Sequence, residues 1–187
     1  FRFDATGENT VHHLLDSRKV DGLIIINPDL TAEELSYLHA NRIPAVFVQA
    51  IPTHLDLSRE NYIFADHVAG GTIATGHLIR LGHRRILCFT IDTPEGSFHE
   101  RTEGYRRALA DHDLPVEESL IHAGDGTFEF GYQFALRHAK DFRGDITAIF
   151  SQTDIMALGA IEGLWDIGLE VPKDVAIVSY DDIGFGK

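Results

Sequence analysis

The chain has 187 residues, with 16 Lys and Arg against 29 Asp and Glu, giving a formal charge of −13 with histidine neutral. A surface of that sign repels phosphate, which dominates nucleic-acid affinity, so DNA and RNA are excluded as direct partners of this stretch. A composition 44% hydrophobic and 24% charged excludes disordered and fibrous classes, and the length allows one domain or two small lobes.

In chain order, a first strand is predicted at 20–26 (VDGLIII). Thr31 with Glu34 three residues on forms a capping box for a helix reaching about Asn41, and IleProAla then starts a strand at 44–50. A third strand follows at 61–65 (NYIFA), and a helix from Gly70 to Leu81 carries Ile73, Ala74 and Leu78 on one face, with Gly82 as its left-handed stop. After the strand 85–90 (RILCFT), the segment IDTPEG (91–96) has Pro, Gly and no core-forming run. It is taken as the crossing between an amino-terminal lobe, 1–92, and a carboxy-terminal lobe, 93–187.

Ser97 to about His112 puts Tyr105, Ala108 and Leu109 on one helix face before LeuPro closes it. The strand 118–124, a helix from Thr127 to about Ala139 with Phe130, Phe134 and Ala135 in one stripe, and the strand 147–152 come next. A helix from Asp154 to Ile167, ended by Gly168, leads to the last strand, 175–180. Strands alternating with helices define a parallel α/β fold.

No enzyme motif stands out. AGGTIATGH (69–77) has glycines but no phosphate-loop lysine, and its Gly70 and Gly71 read as letting a helix start close against a sheet. GxGxxG and GxSxG are absent, and the eleven histidines include no HExxH or HxxxH pair. The single cysteine, Cys88, sits in the apolar run ILCFT and reads as a buried thiol, which fits a reducing cytoplasm. No apolar run approaches the ~18–20 residues that span a bilayer, and residues 1–20 lack the pattern of a signal peptide. A soluble, cytoplasmic protein without catalytic residues, metal or cofactor is expected.

Polar residues do collect at the carboxyl ends of the predicted strands, where open α/β sheets bind ligands. They are Gln49, then Gln152, Thr153 and Asp154, then Tyr180, Asp181 and Asp182, with Ser97 to Arg101 opening a helix nearby. Asp154 reads equally as the cap of its own helix. Carboxylate and amide oxygens accept hydroxyl protons and a guanidinium donates in a fixed fork, which suits a polyol ligand.

HLIRLGHRRI (77–86), ERTEGYRRAL (100–109), DLPVEESL (113–120), TAIFSQTDIMALGAI (147–161) and GLEVPKDVAIVSYDDIGF (168–185) occur in one order. Together they resemble the LacI/GalR family of bacterial transcriptional regulators, in its periplasmic-binding-protein-like effector domain, from about Val11 to Phe185. The resemblance implies two lobes, each a parallel sheet flanked by helices, closing on a small molecule, usually a sugar or related metabolite. It implies a homodimer, with contacts through helices of both lobes including that of Met156 and Leu158, though Met156 reads at least as well as a core residue. Operator DNA is bound through a helix-turn-helix head outside this segment. By the family pattern that head and the first strand of the amino-terminal lobe precede Phe1, and a return segment follows the YDD strand, so the chain reads as cropped at both ends.

Carried over by position, Arg101 matches the arginine that grips effector oxygens and Asp181 the aspartate that accepts hydroxyl hydrogens. Thr153 stands where many relatives have Asn, Gln49 and Ala50 replace an AspArg pair, and Gly126 replaces an aromatic residue. A pocket roomier and less polar than a monosaccharide site is expected, with Phe98 or Phe128 supplying the ring and Ser97 beside it. Trp165, at helical spacing from Ile161, is expected to pack. A sugar-binding protein of a periplasmic transporter shares this fold, but LGHRRI and RxxGYxxAL favour the regulator.

Overall fold

In a computed structural model, residues 21–26, 31–48, 56, 58–93 and 96–184 are described. The chain forms two compact units, Phe1–Ala65 and Asp66–Lys187. The first contains β1 (Leu23–Ile26), α1 (Ala32–Ala40), β2 (Ala45–Val48) and β3 (Asn61–Ile63), with the strands parallel in the order β1-β2-β3. The predicted capping box is formed: the Glu34 amide donates to Thr31 Oγ1 at 3.2 Å while Glu34 Oε2 accepts from the Thr31 amide at 2.8 Å. Ile25, Leu38 and Phe47 make the core of this unit, with one face of β1 and of β2 packed with α1, while β3 is exposed along its length.

The second unit contains α2 (His67–Arg80), β4 (Ile86–Ile91), α3 (Ser97–Ala110), β5 (Ile121–Gly124), α4 (Phe128–Arg137), the short α5 (Ala139–Phe142), β6 (Ala148–Ser151), α6 (Asp154–Asp166) and β7 (Ala176–Ser179). Its strands are all parallel in the order β5-β4-β6-β7. Side-chain alternation builds three layers. Ile86, Cys88, Ala148 and Phe150 pack with Leu78 of α2 and Tyr105 and Leu109 of α3. Leu87, Phe89 and Ile149 pack on the other face with Phe134 of α4 and Met156 and Leu164 of α6.

The α/β class and all seven predicted strands are found, with ends shifted by up to three residues and β4 reaching Ile91. The expected lobe boundary between residues 92 and 93 is corrected. β4 is hydrogen-bonded to both β5 and β6, so its fully apolar run is an interior strand of the second unit, and the change of unit falls before α2. IDTPEG follows β4 as an ordinary strand-to-helix connection.

The start of α2 is also corrected. Asp66 accepts from the Ala69 amide at 2.8 Å and caps the helix, placing the glycine pair inside its first two turns. Gly71 serves a helix rather than the sheet: a Cβ there would overlap the backbone carbonyl of Arg101, and one on Gly104 would overlap the carbonyl of Val68. α2 and α3 therefore cross backbone on backbone, which only small residues allow. Met156 is fully buried in the core, so it is not a surface dimer residue. Trp165, expected to pack, is 60% exposed on α6.

Candidate functional site

After β4 the chain turns toward β5 on one side, and after β6 it turns toward β7 on the other. The two connections part above the adjacent strands β4 and β6, leaving the crevice at which doubly wound sheets take ligands. The beginning of α3 and the end of β7 border it.

Gln152 forms the floor. Its amide donates to the Phe89 carbonyl at 2.9 Å, extending the ladder, and its fully buried side-chain amide lies 3.1 Å from the Thr90 hydroxyl and 2.8 Å from that of Thr102. A side chain satisfied in this way ties β4, β6 and α3 together and is not offered to a ligand. Cys88 lies beneath, where burial pushes its thiol up to about 12 and disfavours the thiolate.

Arg101 rests on this floor at only 8% exposure, with Nη1 donating to the Gln152 carbonyl at 2.8 Å. Its guanidinium carbon lies 3.7 Å from the centroid of the Tyr180 ring and 5.1 Å from that of Phe98. Asp181 Oδ1 is 3.8 Å from Nη1. Arg101 Nε is buried and has no hydrogen-bond partner. An unpaired buried donor costs free energy unless something arrives to accept its proton, which singles out Arg101 as a place for an oxygen-bearing ligand.

Burial raises the Asp181 carboxyl above the ordinary carboxylate value, and Arg101 opposes that shift. Behind Tyr180 stands His67, largely buried, with Nδ1 2.9 Å from the Tyr180 hydroxyl. Burial first and Arg101 second lower its pKa from the usual 6.5.

The sequence expectations divide here. Arg101, Asp181 and Phe98 are brought together, with the half-buried Ser97 as the first residue of α3. Thr153, not Asp154, caps α6, accepting from the Met156 amide at 3.3 Å. Asp154 instead accepts from the Ser179 hydroxyl and, at 2.6 Å, from the Ile183 amide, fixing the backbone on both sides of Asp181. Phe128 stacks on Tyr132 with ring centroids 6.2 Å apart. Gly126 has φ +79°, and a Cβ there would press on Ile91 at 2.9 Å, so the turn itself disfavours a side chain. Gln49 and Ala50 lie outside the described residues. His67 and the Thr90–Gln152–Thr102 cluster were not legible as site components. The only trace of His67 in the sequence was an AspHis pair after a strand, which reads equally as a cap.

Asp154→Ala is expected to cost about 1.5 kcal/mol, because an exposed donor on Ser179 and a half-buried one on Ile183 lose a charged acceptor, and Asp154→Asn to recover roughly half of that. Urea unfolding of the three proteins measures this; equal midpoints would remove Asp154 from the support of the Asp181 loop.

A doubly wound α/β unit with a buried, partly unpaired guanidinium and a carboxylate at its switch point belongs to the class of small-molecule binding domains. The chain is a member of the family described as periplasmic binding proteins and sugar binding domain of LacI family, which it matches over residues 4–185. It is 34% identical to the HTH-type transcriptional regulator CelR of Thermobifida fusca over 185 residues, 95% of this chain and 53% of that protein. Among solved structures, a regulatory protein of the LacI family from Chloroflexus aggregans matches with a TM-score of 0.84 and 28% identity, over 97% of this chain and 64% of that one. A CelR–cellobiose complex matches with a TM-score of 0.77 and 31% identity, over 96% of this chain and 54% of that one. The chain spans about half the length of CelR.

Proposed function

We propose that this chain is the effector-sensing domain of a LacI-type transcriptional regulator, working in the cytoplasm as a homodimer. It binds a sugar or related polyhydroxy metabolite at the switch-point crevice and thereby changes how the protein's DNA-binding segment holds an operator. Arg101 donates to ligand oxygens and Asp181 accepts from hydroxyls, with Phe98 and Ser97 on the α3 side and Thr153 on the α6 side. The observation that carries this reading is the buried Arg101 Nε without an acceptor beside an ionisable carboxylate. The regulators to which the chain is similar favour this role over that of a transport protein. No helix among the described residues is long and apolar enough to cross a membrane. Such a ligand acts by binding two states of the protein with different affinity.

The test is a thermal-shift screen of the intact protein against monosaccharides, disaccharides including cellobiose, glycosides, polyols, nucleobases and sugar phosphates. A ligand at ~100 times its Kd adds about 2.7 kcal/mol of stability, a shift of several degrees. A hit that also alters operator affinity in a gel-shift assay supports the proposal. No hit across the panel from a folded protein rejects the polyol class, and a hit without any change in DNA binding rejects the regulatory role.

A further inference from the structure

We infer that His67 is a positioning residue for the crevice: by holding the Tyr180 hydroxyl it fixes the Tyr180 ring against the Arg101 guanidinium and so sets where the unpaired Arg101 donor points. The role rests on reading Arg101 as the ligand's donor. Three contacts in series carry it. His67 Nδ1 meets the Tyr180 hydroxyl at 2.9 Å, the Tyr180 ring lies 3.7 Å from the Arg101 guanidinium carbon, and Arg101 Nη1 is anchored to the Gln152 carbonyl at 2.8 Å. Gly70 leaves room for the ring, since a Cβ there would come within 2.6 Å of the Tyr180 hydroxyl and ring edge. A guanidinium held by one hydrogen bond can swing about it, and a ring packed on its face stops that motion. The ring in turn is held by α2, through the one polar atom it carries.

Protonation changes the stack. With a neutral imidazole protonated on Nε2, Nδ1 accepts the Tyr180 proton and the ring face sees one cation, Arg101. An imidazolium at the ring edge adds a second positive charge beside the guanidinium and repels it. Arg101 thus faces His67 as a cation, while Asp66, Glu100 and Asp181 surround it with negative charge. Burial first and Arg101 second outweigh those carboxylates and lower the His67 pKa, so the imidazole is neutral at neutral pH and charges only on acidification below 6.5. The Arg101 donor is therefore held best at neutral pH and loosened in acid.

The experiment is NMR on the intact protein with labelled arginine and histidine side chains, without any effector. The Arg101 Nε chemical shift is expected to titrate together with the His67 ring on acidification below pH 6.5, and in His67→Asn that component should vanish. The asparagine oxygen stands where Nδ1 was, carries no charge and keeps the Tyr180 contact. Any titration left in His67→Asn belongs to Asp181. Exchange of the Arg101 Nε proton should accelerate about tenfold in Tyr180→Phe, the loss of one net hydrogen bond, and stay within about twofold of the parent in His67→Asn. An Arg101 shift that ignores the His67 titration, or unchanged exchange in Tyr180→Phe, overturns the inference. Because neither readout uses a sugar, failure of the polyol screen leaves this result intact, and the reverse also holds.

Discussion

Arg101→Ala is expected to abolish ligand-induced stabilisation while leaving a folded protein. Among the described residues the guanidinium is the strong, preorganised donor at the crevice, and charge-assisted hydrogen bonds are worth about 1.5–3 kcal/mol each, so losing two to a ligand weakens binding on the order of a hundredfold or more. A ligand that adds about 2.7 kcal/mol to the parent then adds almost nothing at the same concentration. Without ligand the cost is small. The Gln152 carbonyl loses one donor, but a buried, unpartnered Nε is removed at the same time, and the two effects oppose each other. Arg101→Lys keeps the charge and not the fork, so it should fold like the parent and still lose most of the response. Thermal shifts of the three proteins with and without a screened ligand measure this. A full shift in Arg101→Ala would place the ligand elsewhere.

Gly71→Ala should be strongly destabilising to the second unit. The added carbon overlaps the Arg101 carbonyl and lies 3.1 Å from its Cα, so the obstacle is backbone and α2 and α3 must move apart. Overpacking of this kind costs about 1–3 kcal/mol, more than the ~1 kcal/mol that alanine gains over glycine in a helix. A fall in Tm of roughly 4–8 °C is expected for about 2 kcal/mol in a chain of this size. The displaced backbone is that of Arg101 itself, so ligand affinity should drop with stability. Gly76→Ala is the control. Its Cβ would meet only the end of the Arg80 side chain at 3.3 Å, so it should be neutral or slightly stabilising. Equal melting temperatures for Gly71→Ala and Gly76→Ala would show that the crossing yields without cost.

The fold was largely legible because its determinants are local. Apolar runs such as ILCFTI and AIFS can bury both faces only inside a parallel sheet, and Thr31, Thr127, Gly82 and Gly168 mark helix ends by chemistry that acts within one turn. The boundary at 92 was misplaced for a related reason. A loop with Pro and Gly looks the same whether it joins two units or a strand to its own helix, and only the pairing of β4 with β6 distinguishes them. The glycine pair was likewise visible, but not its partner: Gly71 and Gly104 meet across two helices, and no local pattern encodes that contact.

For the site, the order of residues was enough to say which groups could meet a ligand. The polar residues at strand ends follow from the rule that parallel strands present their carboxyl ends to one edge of the sheet, and the family resemblance singled out Asp181 among them and Arg101 on the neighbouring helix. Tertiary structure alone decided which of those groups remain available. Gln152 is taken up by Thr90 and Thr102 and Asp154 by the β7 loop, while Arg101 keeps an unpaired donor. The physical reason is that a polar side chain is committed or free according to the partners brought to it in space. His67 and Tyr180 lie 113 residues apart in the chain and 2.9 Å apart in the fold.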